Sequence, residues 1–250
     1  MPRIGTRKLY HLLREDFNRE GIAVGRDKLF TLLRQDNLLI GKRKRFTKTT
    51  NSHHWMRKHP DMVKDLVVKR PEELWVADIT YVAIETGYAY LHLVTDAYSK
   101  QIMGYFVSLD LCASSTIKAI EMALENRKYD NKLIHHSDRG LQYCSSGYVK
   151  ILNDKNISIS MTQSGSPYDN AIAERVNGIL KDEFGLDQVF KNLEQLKKQT
   201  SESIKIYNEQ RPHLSNQMLT PEIMHLQELI KPKKWHKKKY RKFNPCTFVT

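Results

Sequence analysis

Apolar residues recur along this chain at two different periods, and the change of period divides it. In residues 6–20, Leu9, Leu12, Leu13 and Phe17 share one face at helical spacing, with Thr6 placed as N-cap. Gly21 to Gly25 form a turn, and a second helix is predicted from Arg26 to Asn37 with Leu29, Leu32 and Leu33 inward. From Gly41 to Pro60 the periodicity fades. At Trp75 the pattern becomes strand-like, with strands predicted at 74–84, 88–96 and 101–109, broken by the Glu85-Thr-Gly87 turn and by residues 97–100. A helix over 114–127, a strand over 132–137, a helix over 145–156 and a short strand over 157–160 follow. Met161 to Tyr168 reads as a loop, Asp169 as the N-cap of a long helix, and 191–209 as a last helix before Arg211-Pro212. The order βββαβαβα, without internal repeat, predicts an α/β fold with a mixed sheet flanked by helices.

Charge changes this picture more than composition does. The 250 residues are 40% hydrophobic and 28% charged, which suits one main domain with smaller attachments. No apolar run approaches the roughly 18 residues that span a bilayer, and no signal-peptide pattern opens the chain. Three cysteines without metal-ligand spacing point away from a disulfide framework and towards a reducing cytoplasm. The net charge of +13 is unevenly spread: residues 1–70 carry 18 Lys/Arg against 7 Asp/Glu, 71–227 carry 15 against 20, and 228–250 carry 8 against 1. An acidic centre between two basic flanks suits a cation-binding core held against a polyanion, and nucleic acid is favoured over solvated charged faces. The expected divisions are a helix-turn-helix-like DNA-binding region at 1–45, a basic linker tracking phosphates at 46–70, a core at 71–227 and a basic tail at 228–250. Arg26, Lys28, Arg43 and Arg45 are the expected DNA contacts of the first region.

Three carboxylates stand out in the core. Asp78 is central to the apolar string Trp75-Val-Ala-Asp-Ile-Thr-Tyr81, Asp138 ends Leu133-Ile-His-His-Ser-Asp138, and Glu174 lies in the first turns of a helix. Acids in apolar elements are costly unless something positive compensates them, and a shared divalent metal site does so most simply. Two Mg²⁺ ions about 3.5–4 Å apart would activate an oxygen nucleophile, stabilise a leaving oxygen and neutralise a phosphodiester.

The competing residues read differently. Asp96 suits a turn, and Glu183, nine positions after Glu174, faces the opposite side of the helix. Lys181 falls about 20° from Glu174 and Asn177 lies beside it, so both are candidate DNA contacts, although Asn177 alone also suits a solvated face. Adjacent strand residues point to opposite faces, so His135 and His136 do not share one ion, and at least one is structural. His136 shares the face of Asp138 and is a candidate helper. Trp75 and Tyr81 read as packing residues.

Several ordered strings carry a family resemblance. They are Trp75-Val-Ala-Asp-Ile-Thr-Tyr81, His136-Ser-Asp-Arg-Gly-Leu-Gln-Tyr143, Ser164-Gly-Ser-Pro-Tyr-Asp-Asn-Ala-Ile-Ala-Glu174, Leu180-Lys-Asp-Glu183, Tyr207-Asn-Glu-Gln-Arg-Pro-His213 and Thr220-Pro221. With the opening Pro2-Arg-Ile-Gly-Thr-Arg-Lys-Leu-Tyr10, they resemble, over residues 3–225, the DDE transposases of bacterial insertion sequences, of the second-reading-frame type with a retroviral-integrase-like core. The resemblance implies a ribonuclease-H-like fold with a five-stranded mixed sheet. It implies that Asp78, Asp138 and Glu174 bind two Mg²⁺ (Mn²⁺ can substitute) and that Lys181 contacts element-end DNA. It also implies that water frees a 3′-hydroxyl at the element end, which then attacks target DNA. A homo-multimer on DNA, a location at the bacterial nucleoid and a partner from the upstream first frame are further expectations, the chain reading either as the second-frame product alone or as the remnant of a fusion. Asn216 stands where the family often has Leu, a change expected to affect local packing.

Two other readings compete: a catalytically silent binder that regulates a longer transposase, and a ribonuclease H. The basic flanks and integrase-type strings argue against the last.

Overall fold

Residues 74–108 are rich in β-branched and aromatic side chains broken by turn residues, and the computed structural model forms three strands there. It describes residues 1, 3–40, 58–64, 66–163 and 171–226. Arg43, Arg45, the Asp169 cap, most of the 161–168 loop and the basic tail lie outside the described residues. Strands β1 (Leu74–Ile84), β2 (Gly87–Asp96) and β3 (Ile102–Ser108) form an antiparallel meander, with an irregularity at Val94/Thr95. Helix α3 (Ala113–Glu125) crosses to β4 (Ile134–Ser137), which runs parallel to β1, and β5 (Ser158–Met161) extends the parallel side. The sheet order is β3-β2-β1-β4-β5.

The two faces of the sheet are packed differently. Trp75, Ala77, Val94 and Met103 meet α3 and α5 (Ser146–Asp154) through Ala119, Ile120, Tyr148 and Leu152. Val82, Ile84, Leu91 and Leu93 meet α6 (Ala171–Phe184) and α7 (Leu193–Gln210) through Val176, Ile179, Leu180 and Tyr207. Asp78 pairs with Leu93 across the ladder, so period two puts it on the α6 side. Trp75 is fully buried, as expected of a packing residue.

Several expected boundaries move for local reasons. Gly5, not Thr6, caps α1 (Thr6–Arg19), and α2 ends at Gln35, the chain turning through the positive φ of Asn37. Leu12 and Leu32 are exposed, and among the leucines of this helical pair only Leu29 is buried. The helix expected over 145–156 forms as α5 (Ser146–Asp154), capped by Ser145, whose hydroxyl accepts from the Tyr148 amide, and a short helix α4 (Leu141–Cys144) that was not expected precedes it. The described end of the linker is tied to the core instead of running free: the Met62 amide donates to Ser160 Oγ and the Met161 amide to the Pro60 carbonyl. Asn216 is fully buried and donates to the Ser99 carbonyl at 2.6 Å, so its amide locks the turn after α7.

Candidate active site

The parallel pairing of β1 and β4 positions the first two acids. Val76 is aligned with His136, so two residues further along each chain Asp78 stands beside Asp138, just past the end of β4. Both line one cavity of about 520 Å³, walled by Tyr81, Tyr88, Tyr90 and Tyr143. Burial raises the Asp78 carboxyl to about 7, with the negative charges of Asp138 and Glu174 adding to the rise. Hydrogen bonds from Asn177 and from the Ile79 amide oppose it. Glu174 is exposed in the first turn of α6, where a carboxylate also suits the helix dipole. The three carboxylates thus feel one another, but among the described residues no three acidic, His or Cys side chains stand close enough to hold one metal ion.

Asp138 is held by the chain that follows it. Its Oδ1 accepts from the Gly140 amide at 2.9 Å, and a Cβ at Gly140 would sit 3.0 Å from that same oxygen. The Arg139-Gly140 step therefore needs glycine because of close approach, with φ in the ordinary range.

Asn177 departs from its expected role. It is 5% exposed, and its Nδ2 donates to Asp78 Oδ2 at 2.8 Å, so the amide turns inward to orient the acid, neither solvated nor free for DNA. Lys181, one turn further on, is half-buried with its ammonium 4.8 Å above the Tyr81 ring. Tyr81 is thus a wall of the site as well as a packing residue, and it meets Tyr88 edge-on at 5.5 Å. His136, the candidate helper, is buried and shares a hydrogen bond with Ser160 Oγ at 2.8 Å. His135 pairs with the Tyr148 hydroxyl at 2.9 Å, and burial then the neighbouring His136 lower it to about 3. Glu183 faces away from the site, as expected. Arg26 is exposed and paired with Asp27, and Lys28 is exposed in the same helix; neither lines the cavity. Gly140, Tyr88 and Tyr90 were missed from sequence; only Gly140 carried a signal, its place directly after Asp138-Arg139.

An acid held up to about 7 by burial first and then by two like charges is a donor set short of positive charge, and its all-oxygen chemistry suits a hard divalent cation. The residues present therefore fit the magnesium that the resemblance implies.

Comparison with known proteins identifies the fold and the family. Family models for the integrase core domain match residues 68–167 and 155–221. An insertion element IS600 31 kDa protein of Shigella sonnei is 37% identical over 84% of this chain and 76% of its own length. A putative transposase of element IS986/IS6110 from Mycobacterium tuberculosis is 38% identical over 72% of this chain, which spans 65% of that relative. Among solved structures, the HTLV-2 integrase catalytic core in complex with magnesium superposes with a TM-score of 0.51 at 20% identity, over 62% of this chain and 97% of that one. A chain of the simian T-cell lymphotropic virus intasome in complex with PP2A regulatory subunit B56 gamma gives 0.55 at 16% identity, over 98% and 81%. These likenesses establish the ribonuclease-H-like fold of retroviral integrase cores. By its family models and its relatives, the chain belongs to the integrase-core transposases of bacterial insertion sequences.

Proposed function

We propose that this chain acts as a Mg²⁺-dependent polynucleotidyl transferase that cuts DNA at the ends of its element and joins the freed 3′-hydroxyl to target DNA. The observation that carries the reading is the alignment of Asp78 with Asp138 at the end of the parallel β1–β4 pair, with Glu174 close enough to raise the Asp78 carboxyl. Asp78 and Asp138 would hold the ions, with Glu174 as the third carboxylate and Mn²⁺ as an acceptable substitute. Bound divalent ions supply charge neutralisation at phosphorus and lower the pKa of the attacking oxygen. Asn177 orients Asp78, and the Gly140 amide orients Asp138. The tyrosine walls offer faces against which unpaired bases stack, worth about 1–3 kcal/mol per base. Lys181, over Tyr81 at the same rim, is positioned to receive a phosphate near the reacting bond.

The basic flanks supply sequence-independent grip on DNA, and a multimer on paired ends together with a first-frame partner completes the proposed assembly at the nucleoid. The test is strand transfer from a pre-cut element end. The parent should join ends with Mg²⁺ or Mn²⁺, and Asp138→Asn should bind DNA but fail to join it. Binding without joining by the parent would favour the regulatory reading, and joining by Asp138→Asn would remove the site assignment. Neutralising even 6–10 phosphates should weaken binding by roughly 10³–10⁵ between about 50 and 200 mM salt.

A further inference from the structure

The proposed chemistry leaves a second cavity unused, on the opposite side of α6. It measures about 390 Å³ and lies between α1, the start of α6 and the segment after α7. Ile172, Arg175, Val176 and Ile179 recur at helical spacing and line it, whereas Glu174, Asn177 and Lys181 occupy the other face of the same helix.

The lining is cationic beyond what the neighbouring acids balance. Lys8, Lys100, Arg175 and Arg211 all contribute. Two carboxylates face them: Glu183 binds Lys8 at 2.6 Å and Arg211 at 2.8 Å, and the charge of Asp96 acts on Lys100. The Lys100 ammonium also donates to the Ala97 carbonyl. Among the described residues, four cations against two acids leave a positive excess in a concave, partly dry site, where charge acts more strongly than in water.

His213 supplies the independent sign of a ligand. It lines the cavity, is 7% exposed, and its Nε2 has no hydrogen-bond partner among the described residues. An unmade hydrogen bond at such depth costs about 1–3 kcal/mol, which a bound acceptor would recover. The His213 ring packs edge-on to Tyr207 at 5.2 Å and its backbone amide is fixed to the Leu219 carbonyl, so the imidazole is held in place. Burial first, then the charges of Arg211, Lys8, Lys100 and Arg175, keep His213 well below the usual imidazole range. A neutral ring offers one N–H donor, which suits an anion oxygen.

We propose that this cavity binds a phosphate group, with Arg175 and Lys100 supplying charge and His213 Nε2 a directed hydrogen bond. The site lies across α6 from the three carboxylates, so its phosphate is not the one that reacts. Only the source of the phosphate rests on the strand-transfer reading: a backbone phosphate of bound DNA under that reading, otherwise free phosphate or a nucleotide.

The test titrates the full chain with inorganic phosphate, ionic strength being held constant with chloride. The readouts are the imidazole ¹⁵N–¹H resonances, assigned to His213 by comparison with His213→Asn, and the melting temperature. A saturable shift of the His213 resonance with a rise in Tm is expected. Arg175 is exposed, so Arg175→Gln should fold normally and weaken phosphate roughly tenfold, the loss of one charge-assisted contact. Absence of a saturable shift, or the same affinity in Arg175→Gln, would overturn the site. Repeating the titration with a saturating short DNA duplex separates the sources, both of which support the phosphate site. Loss of the phosphate response means that a DNA phosphate already occupies it, and an undiminished response assigns it to free phosphate or a nucleotide. Because these readouts need no joining of DNA, failure of strand transfer leaves them interpretable.

Discussion

Arg211 holds both oxygens of Glu183, Nε donating to Oε2 and Nη2 to Oε1, each at 2.8 Å. The pair joins the last turn of α6 to the segment after α7, and Lys8 adds α1 to the same carboxylate at 2.6 Å. Glu183 is drawn below the ordinary carboxylate range: burial opposes this, but the bonds from Arg211 and Lys8 outweigh it. Glu183→Gln would leave the Arg211 guanidinium, 2% exposed, without its counter-charge. A loss of about 3–5 kcal/mol is expected from urea denaturation. Lys8→Met should cost less and act locally, loosening α1 from the core. Hydrogen exchange in residues 6–19 should rise while that of β1 stays unchanged.

The Glu183 cluster also marks how far the sequence could be read. Glu183 was expected to face away from Glu174, because helical geometry fixes that angle, but its partners come from residues 175 and 28 positions away. The bounds of β1 were legible because an eleven-residue run rich in β-branched and aromatic side chains ends at the Glu85-Thr-Gly87 turn. The start of α5 at Ser145 was legible too, since a serine caps it, but the four-residue α4 before it was not, being too short to show a period. Asp78 and Asp138 stood out because acids in apolar strands are costly. The inward turn of Asn177 was invisible, because a polar residue three positions after an acid looks the same on a solvated face and against a buried partner.

The mutual repulsion of the acids has a consequence for stability. Burial first, then the charges of Asp138 and Glu174, raise Asp78, so the metal-free site stores unfavourable charge. Asp78→Asn should therefore leave the metal-free protein as stable as the parent or slightly more so, within about 1–2 kcal/mol, while abolishing strand transfer. Mg²⁺ should raise the Tm of the parent, since a ligand at 100 times its Kd stabilises by about 2.7 kcal/mol. The variant should lose most of that rise in a thermal melt. An equal Mg²⁺ effect on both proteins would place the metal elsewhere.

Two glycines should respond to alanine in opposite ways. At Gly104 on β3 an added Cβ would meet the Ala119 carbonyl oxygen at 2.1 Å and the Ala123 amide at 2.6 Å, both backbone atoms of α3. Neither can move without shifting the helix, so Gly104→Ala should destabilise by about 1–3 kcal/mol or more. At Gly140 the nearest atoms are the Asp138 and Gln142 side-chain oxygens, each at 3.0 Å. Gly140→Ala should unfold at nearly the parental urea concentration but join DNA more slowly, because the shift falls on Asp138. Urea midpoints and joining rates, measured on both variants, separate the two effects.

His225 couples stability to pH through a buried cluster far from the carboxylate site. Its Nε2 lies 3.2 Å from Glu72 Oε1, and its Nδ1 lies 3.0 Å from Ser99 Oγ and 3.7 Å from Asp96 Oδ1. Burial alone would lower the imidazole, but the Asp96 and Glu72 carboxylates outweigh it and raise it above 6.5. Asp96 moves the other way: burial would raise it, and its bonds to His225 and Ser99 bring it below 3.8. A histidine raised on folding contributes stability fully present below its unfolded value of about 6.5 and lost as pH climbs through the folded value. An aspartate lowered on folding contributes above about 3.8, and that share is lost as pH falls through its folded value. Both contributions are therefore intact between about pH 4 and 6.5, and the share held by His225 is lost on the alkaline side. His225→Gln keeps hydrogen-bonding atoms but cannot titrate. Urea midpoints measured from about pH 6 to 9 should fall in the parent and stay flatter in the variant, the gap closing as pH rises. Parallel profiles for the two proteins would show that His225 is not charged in the folded state.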